Sequence, residues 1–165
     1  MALALSSDLN TKGEASRAIA NLAANVDVQL TLIKEGCLQP MVEALQADEV
    51  NCQRFAALCV ANLATTVASQ IRVVQAGALG PLVTLSANPK CQLEARRYAT
   101  LAIANLTATV ANHVALLEEG VLQALFSLAN SPVYRACVSL SALGMQHLVL
   151  MNGLLRNRQF QFVYS

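Results

Sequence analysis

Ala20-Asn21-Leu22, Ala61-Asn62-Leu63 and Ala104-Asn105-Leu106 are one tripeptide met three times, and their surroundings repeat with them. Eight residues beyond each asparagine stand Gln29, Gln70 and His113, and seven further on stand Gly36, Gly77 and Gly120. The glycines are therefore 41 and 43 residues apart. Self-similarity at a period of about 40–47 residues, in a chain whose apolar positions keep helical spacing, marks a solenoid of stacked helices.

Each repeat resolves into three helical segments. The first is expected over 29–35, 70–76 and 113–119, where Leu30/Ile33, Ile71/Val74 and Val114/Leu117 keep the i, i+3 spacing of a helical stripe. The glycine then ends the helix, because it turns the chain with no Cβ to clash. A second segment follows over 38–46, 79–86 and 121–129, with Pro40 and Pro81 in the first turn, where a missing N–H does no harm. Variable polar connections come next, at 47–49, 87–90 and 130–132. The third segment, over 14–24, 53–65 and 94–108, carries the asparagine. Its inward slots alternate Ile19/Leu22, Val60/Leu63 and Ile103/Leu106 with small residues that let helices approach closely.

The array is expected over 1–147, divided as a partial repeat 1–27, repeats 28–68 and 69–111, and a degenerate last repeat 112–147. The stretch 3–8 resembles 126–131, so the chain starts midway through a second helix. Ala142 stands where the fourth asparagine is due, and 148–165 reads as an atypical cap and tail.

Composition narrows the function. The 165 residues hold 55% hydrophobic and 13% charged side chains with a net charge of +1, which offers no general attraction for nucleic acid or acidic lipid. The five cysteines include no C-x-x-C pair, and Cys37, Cys59 and Cys137 fall in slots that hold small residues in other repeats. They read as packed free thiols in a reducing compartment, cytoplasmic or nuclear, with no metal site. No secretory leader or myristoylation glycine stands at the start. The uncharged stretch 136–155 has spanning length, but Ser139, Ser141, Gln146, His147 and Asn152 interrupt it, so no integral span is expected. No phosphate loop, nucleophile elbow or acid–histidine constellation occurs, which argues against an enzyme, and no cofactor is expected.

The string Gln70-Ile71-x-x-Val74-x-Ala76-Gly77-Ala78-Leu79-x-Pro81-Leu82-Val83, preceded by Ala61-Asn62-Leu63, resembles the armadillo repeat family. It returns at 29–42 and more loosely at 113–126, so the resemblance covers about 1–145. The resemblance implies an all-α, right-handed superhelical solenoid of three-helix repeats with the third helices lining a concave groove. It also implies a non-enzymatic protein–protein interaction scaffold in which Asn21, Asn62 and Asn105 contact the backbone of an extended peptide. Importin-alpha members carry Trp at the slots of Arg17, Leu58 and Leu101, and this chain has no Trp. With Arg17, Arg54 and Arg97 on the same stripe as the asparagines, the logic is closer to beta-catenin-like or vacuolar-protein-8-like scaffolds and to an acidic ligand.

The residues leave alternatives open. The asparagines either read a ligand backbone, for which an amide supplies both donor and acceptor, or satisfy a buried carbonyl of the next repeat. The arginines either face a ligand or pair with Glu49 or Glu94. The chain as a whole is either a peptide-binding scaffold or an assembly module that self-associates through exposed repeat ends.

Overall fold

The computed structural model describes residues 2–124 together with Val149 and Gly153. Expectations that fall on the rest, including Cys137, Ala142, the helix of the last repeat and the tail, lie outside the described residues. Among the described residues the chain is helical without strands. After a 3-10 turn at Ala2–Leu5 come α1 (Leu9–Ala23), α2 (Val26–Lys34), α3 (Leu38–Leu45), α4 (Val50–Leu63), α5 (Val67–Gln75), α6 (Leu79–Ala87), α7 (Leu93–Leu106) and α8 (His113–Glu118). A 3-10 turn at Val110–Asn112 leads into α8. Helix order thus repeats as long, short, short.

The three glycines behave as the repeat requires. Gly36, Gly77 and Gly120 have φ of 80°, 78° and 69°. At the first, Gly36 N–H bonds Ile33 O at 3.0 Å and Cys37 N–H bonds Leu32 O at 3.1 Å, the paired bonds of a Schellman stop. The second repeats it with Gly77 on Val74 O and Ala78 on Val73 O. Only a residue that tolerates the left-handed region makes this turn without strain.

Helix starts lie earlier than apolar spacing alone indicates. α2 and α5 begin at Val26 and Val67 rather than at the glutamines, and α1 and α4 begin at Leu9 and Val50 rather than near Glu14 and Gln53. Side-chain N-caps account for the added turns of α1, α2 and α4. Asp8 accepts from Thr11 N–H at 2.7 Å and Asn25 from Asp27 N–H at 3.0 Å, while Glu49 accepts from both Asn51 and Cys52 N–H. Burial works to raise the Glu49 carboxyl, but those two N–H groups and the nearby Arg54 charge outweigh it and hold it below the ordinary carboxylate range.

α4 lies between α1 and α7 and packs along both, while α3 and α6 back onto α4 and α7. The core runs continuously through this stack. Ala56, Ala57, Val60 and Leu63 of α4 and Ala99, Ala102, Ile103 and Leu106 of α7 are fully buried. Alanine recurs where long helices touch, since its small volume lets their backbones close up. Cys37, Cys52 and Cys59 are buried free thiols, as the small-residue slots of Cys37 and Cys59 foretold, and Cys91 is partly exposed. Burial pushes the Cys37 thiol up to about 11. Burial, then the neighbouring Glu49, push Cys52 up to about 12. Cys52 is also spoken for: its Sγ donates to Leu9 O at 3.3 Å, tying α4 to the start of α1. No single helix among the described residues is long and apolar enough to cross a membrane; α7 and 110–118 qualify only as a pair bent by 110°.

Two outcomes follow from this packing. Gly77→Ala is expected to cost ~1 kcal/mol in denaturant unfolding and Leu63→Ala ~2–5 kcal/mol, the second set by the cavity left beside α1. Alkylation of the native chain at pH 9, mapped by peptide mass, should label Cys91 while Cys37 and Cys52 stay protected, although unfolded thiols ionise near 9.0. Because these folded thiols titrate higher, their contribution to stability is intact below pH 9.0 and is lost as pH rises through about 11 to about 12.

Candidate functional site: the face of the long helices

The last four carbonyls of a helix have no partner within it. In α1, α4 and α7 this deficit is met largely by side-chain amides and hydroxyls from neighbouring elements. Gln29 Nε2 donates to Ala23 O at 3.1 Å, Gln70 Nε2 to Ala64 O at 2.9 Å, and His113 Nε2 lies 2.9 Å from Thr107 O. These are equivalent bonds: in each repeat, the polar residue of the first short helix caps the long helix just before it. All three side chains are buried, and this is the place of His113, whose glutamine counterparts do the same.

The same glutamines reach into the following repeat. Gln29 Nε2 also meets Asn62 O at 2.8 Å and Thr65 Oγ1 at 2.9 Å, and Thr66 Oγ1 donates to Gln29 Oε1. Thr109, the counterpart of Thr66, donates to Gln70 Oε1. Stacking of repeats is thus specified by directional bonds as well as by apolar contact.

The asparagines complete the set. Asn62 Nδ2 donates to Ala20 O at 2.9 Å and Asn105 Nδ2 to Ala61 O at 3.2 Å. Each acceptor is an orphan, because the N–H four residues on bonds elsewhere: Ala24 to Asn21 O, and Thr65 to Asn62 O. The amide therefore satisfies a carbonyl of the preceding repeat, where the sequence suggested the next one. One N–H of each amide is so used; both residues remain half-buried, and their Oδ1 atoms accept no bond among the described residues. Asn21 is exposed and its side chain makes no hydrogen bond among the described residues.

The structure brings the other expected residues onto this face with unequal freedom. Leu58 and Leu101 are half-buried, four residues before Asn62 and Asn105. Arg17 is paired with Glu14 at 2.6 Å. Arg54 bonds Glu94 of the next long helix at 3.1 Å and Asn51 at 3.3 Å, and lies over the Phe55 ring at 4.5 Å. The pairing with Glu94 that the sequence left open is therefore made, whereas no ion pair to Glu49 is. Arg97 is exposed and has no ion pair among the described residues. With Glu94, Tyr98 and Leu101 it lines a cavity of about 230 Å3. Tyr98, seven residues before Asn105, was missed as a lining residue; that spacing places it on the same helical face and could have found it. A larger depression, of about 460 Å3, lies apart from this face between α3 and α6, where Gly80 replaces the glutamine of Gln39 and Gln123. None of the expected site residues lines it. No cluster of metal-binding side chains occurs among the described residues.

Comparison with solved structures settles the architecture. A designed armadillo repeat protein, YIII(Dq)4CqI, superposes with a TM-score of 0.80 at 29% identity, over 87% of this chain and 62% of its own. The fold is an armadillo-type repeat solenoid. A second armadillo design, YIII(Dq.V1)4CPAF in complex with peptide (KR)4, matches with a TM-score of 0.82 at 26% identity, over 94% of this chain and 69% of that one. Computationally designed armadillo repeat proteins for modular peptide recognition match at 0.80 and 28%, over 87% and 61%. The chain thus spans 61 to 69% of the length of these armadillo structures. No family model and no curated protein matches it.

One armadillo rung is capped differently. Ala104 O, whose i+4 N–H bonds Asn105 O, accepts from Thr107 Oγ1 at 2.7 Å. Its counterparts Ala20 O and Ala61 O take an asparagine amide from the next repeat, but the next asparagine slot is Ala142. Thr107 stands where the earlier repeats have Ala23 and Ala64, so the hydroxyl appears where the amide is lost. Thr107→Val should cost ~1–3 kcal/mol in thermal or denaturant unfolding, since it strands a buried carbonyl, whereas Thr107→Ser should be close to neutral.

Proposed function

We propose that the face formed by α1, α4 and α7 is a groove that binds an extended, acidic peptide, and that the chain acts as a non-enzymatic interaction scaffold. The observation that carries this is the half-used amide of Asn62 and Asn105: one amide N–H bonds the neighbouring helix, and the carbonyl oxygen accepts no bond among the described residues, which leaves it available to a ligand. The bond fixes the side chain's rotamer. A positioned acceptor then loses little rotamer entropy when it receives a peptide N–H. Asn21 supplies a further rung on α1 without that restraint.

Leu58 and Leu101 provide apolar floor between rungs, and Arg17, Arg54 and Arg97 provide charge. Along this face the cations Arg17, Arg54 and Arg97 stand against Glu14 and Glu94, which leaves one cation in excess. Arg97 is that cation, beside the cavity it shares with Tyr98. The armadillo design bound to (KR)4 has a basic ligand; in this chain the absence of Trp and the surplus at Arg97 favour the opposite sign. We place the scaffold in the cytoplasm or nucleus, where five cysteines without a disulfide pattern are kept reduced.

The test compares a fluorescent peptide alternating Asp and Val with its Lys/Val counterpart, using anisotropy at low salt. The acidic peptide should bind the tighter, and Arg97→Glu should weaken it about tenfold while improving the basic one. Because Arg97 is exposed, its melting temperature should not move. Tighter binding of the basic peptide by the wild-type chain would overturn the acidic assignment.

A further inference from the structure

The depression of about 460 Å3 between α3 and α6 has no part in the reading of the long helices. It opens where one repeat lacks side chains that the repeat before it carries. On α3, Gln39 and Glu43 lie one turn apart and hydrogen-bond each other at 3.1 Å. The same slots on α6 hold Gly80 and Thr84, and both line the depression. Nothing in the backbone requires that glycine. Its φ is not positive, and a Cβ there would meet only Glu119 Oε2 at 3.2 Å, the far end of an exposed side chain. Glycine is a poor helix former, so its place inside α6 weakens the helix, and what it yields is the opening.

The walls are also short of hydrogen bonds. Near the end of α6, Ser86 O accepts from Arg96 Nε at 3.2 Å. One repeat earlier the matching carbonyl is that of Leu45, a buried residue that lines the depression, and Gln53 stands in the slot of Arg96. The shorter Gln53 makes no such bond, and Leu45 O accepts none among the described residues. The Thr84 hydroxyl and both ends of the Gln53 amide are likewise unbonded among the described residues. Asn88 uses only its Oδ1, which accepts from Lys90 N–H at 3.0 Å, and Gln46 uses only its Nε2, on Val42 O at 3.4 Å. Leu45, Pro81 and Leu85 supply apolar wall, and among the described residues no charged side chain lines the space.

We propose that this depression is a second binding site, and that its ligand is a short, uncharged, extended segment of a partner protein. The length fits. Gly80 and Asn88 both line it and stand eight residues apart on α6, about 12 Å at ~1.5 Å per residue. An extended chain covers that distance with about four residues at ~3.3 Å each. The chemistry fits as well. Each peptide unit brings one N–H, for which Leu45 O and the side-chain oxygens of Gln46 and Gln53 are free, and one C=O, for which Gln53 Nε2, Asn88 Nδ2 and the Thr84 hydroxyl are free. A charged ligand side chain would find no counter-ion on these walls. The volume lies within the ~300–1,000 Å3 of ordinary ligand sites. The site shares no residue with the face of the long helices, so it stands whether or not that face binds an acidic peptide.

Cys91 lines the depression and is partly exposed, which supplies a handle for the test. The full chain is equilibrated with disulfide-linked probes in excess 2-mercaptoethanol, so that a probe stays on Cys91 only as far as its own contacts favour it, and capture is read by peptide mass mapping. The probe is the tetrapeptide Val-Thr-Val-Thr, capped to carry no charge and joined to a cysteamine linker at one end or the other. One of the two forms should be captured about tenfold more than the bare linker, the worth of one or two net hydrogen bonds. Tetrapeptides alternating Asp and Val, or Lys and Val, should do no better than the linker. Gly80→Gln adds a side chain without adding charge and should lower the gain; Gly80→Gln with Thr84→Glu restores the pair that α3 carries and should abolish it, with the melting temperature no lower than that of the wild-type chain. Capture of both uncharged forms at the level of the bare linker, equal capture of the charged peptides or of a benzyl linker, or a gain that survives Gly80→Gln unchanged would each overturn the proposal.

Discussion

A helix that ends inside a stack of other helices must find donors for its last carbonyls, and the structure of this chain is arranged around that need. The carbonyls of Ala23, Ala64 and Thr107 belong to fully buried residues near the ends of α1, α4 and α7, so an unmade bond there would cost more than an ordinary bond contributes. The chain answers with amide side chains, and in one repeat an imidazole, at fixed slots. Gln29, Gln70 and His113 cap the helix that precedes them, and Asn62 and Asn105 cap the helix one repeat earlier. Because each of these bonds has a direction and a length, together they set how one repeat sits on the next. Apolar contact between alanine-rich helices could not do so alone, since smooth small-residue surfaces slide with little penalty.

That arrangement connects stability to recognition. The asparagine that caps a neighbour is held half-buried, with its carbonyl oxygen unbonded among the described residues. In the proposed function recognition is a by-product of an unsaturated structural group: an amide has more hydrogen-bonding capacity than the cap uses. The arginines show the opposite balance. Arg17 and Arg54 are largely taken up by Glu14 and Glu94, so their charge is partly cancelled within the chain, and Arg97 carries the surplus. In the proposed scaffold the strength and sign of recognition therefore rest on α7 more than on α1.

Much of the architecture was legible in the sequence. The spacing of three asparagines and three glycines located the repeat, the glycine stops and the small-residue contacts, because those features depend on local geometry and recur. Helix starts were read late at Val26, Val50 and Val67, where a periodicity search discounts the first turn; the caps at Asn25 and Glu49 were the missing signal. The candidate site was less legible. Glu94 was named as a possible partner of the arginines, but the choice between it, Glu49 and a ligand stayed open because the Arg54–Glu94 contact spans 40 residues, and the Asn62–Ala20 bond joins a side chain to a backbone atom that no sequence pattern displays. The Thr107 hydroxyl was invisible for the same reason, and becomes meaningful only beside Ala142.

The central claim is that the asparagine amide is shared between the neighbouring helix and a ligand. Side-chain amide NMR of Asn62 and Asn105, with and without a bound acidic peptide, tests it most directly. The account predicts that one proton of each NH2 group exchanges slowly in the free chain and stays protected on binding, while the amide resonances shift as the carbonyl oxygen takes up a peptide N–H. Resonances that do not move when a peptide binds, or NH2 protons that exchange as fast as those of an exposed asparagine, would contradict it.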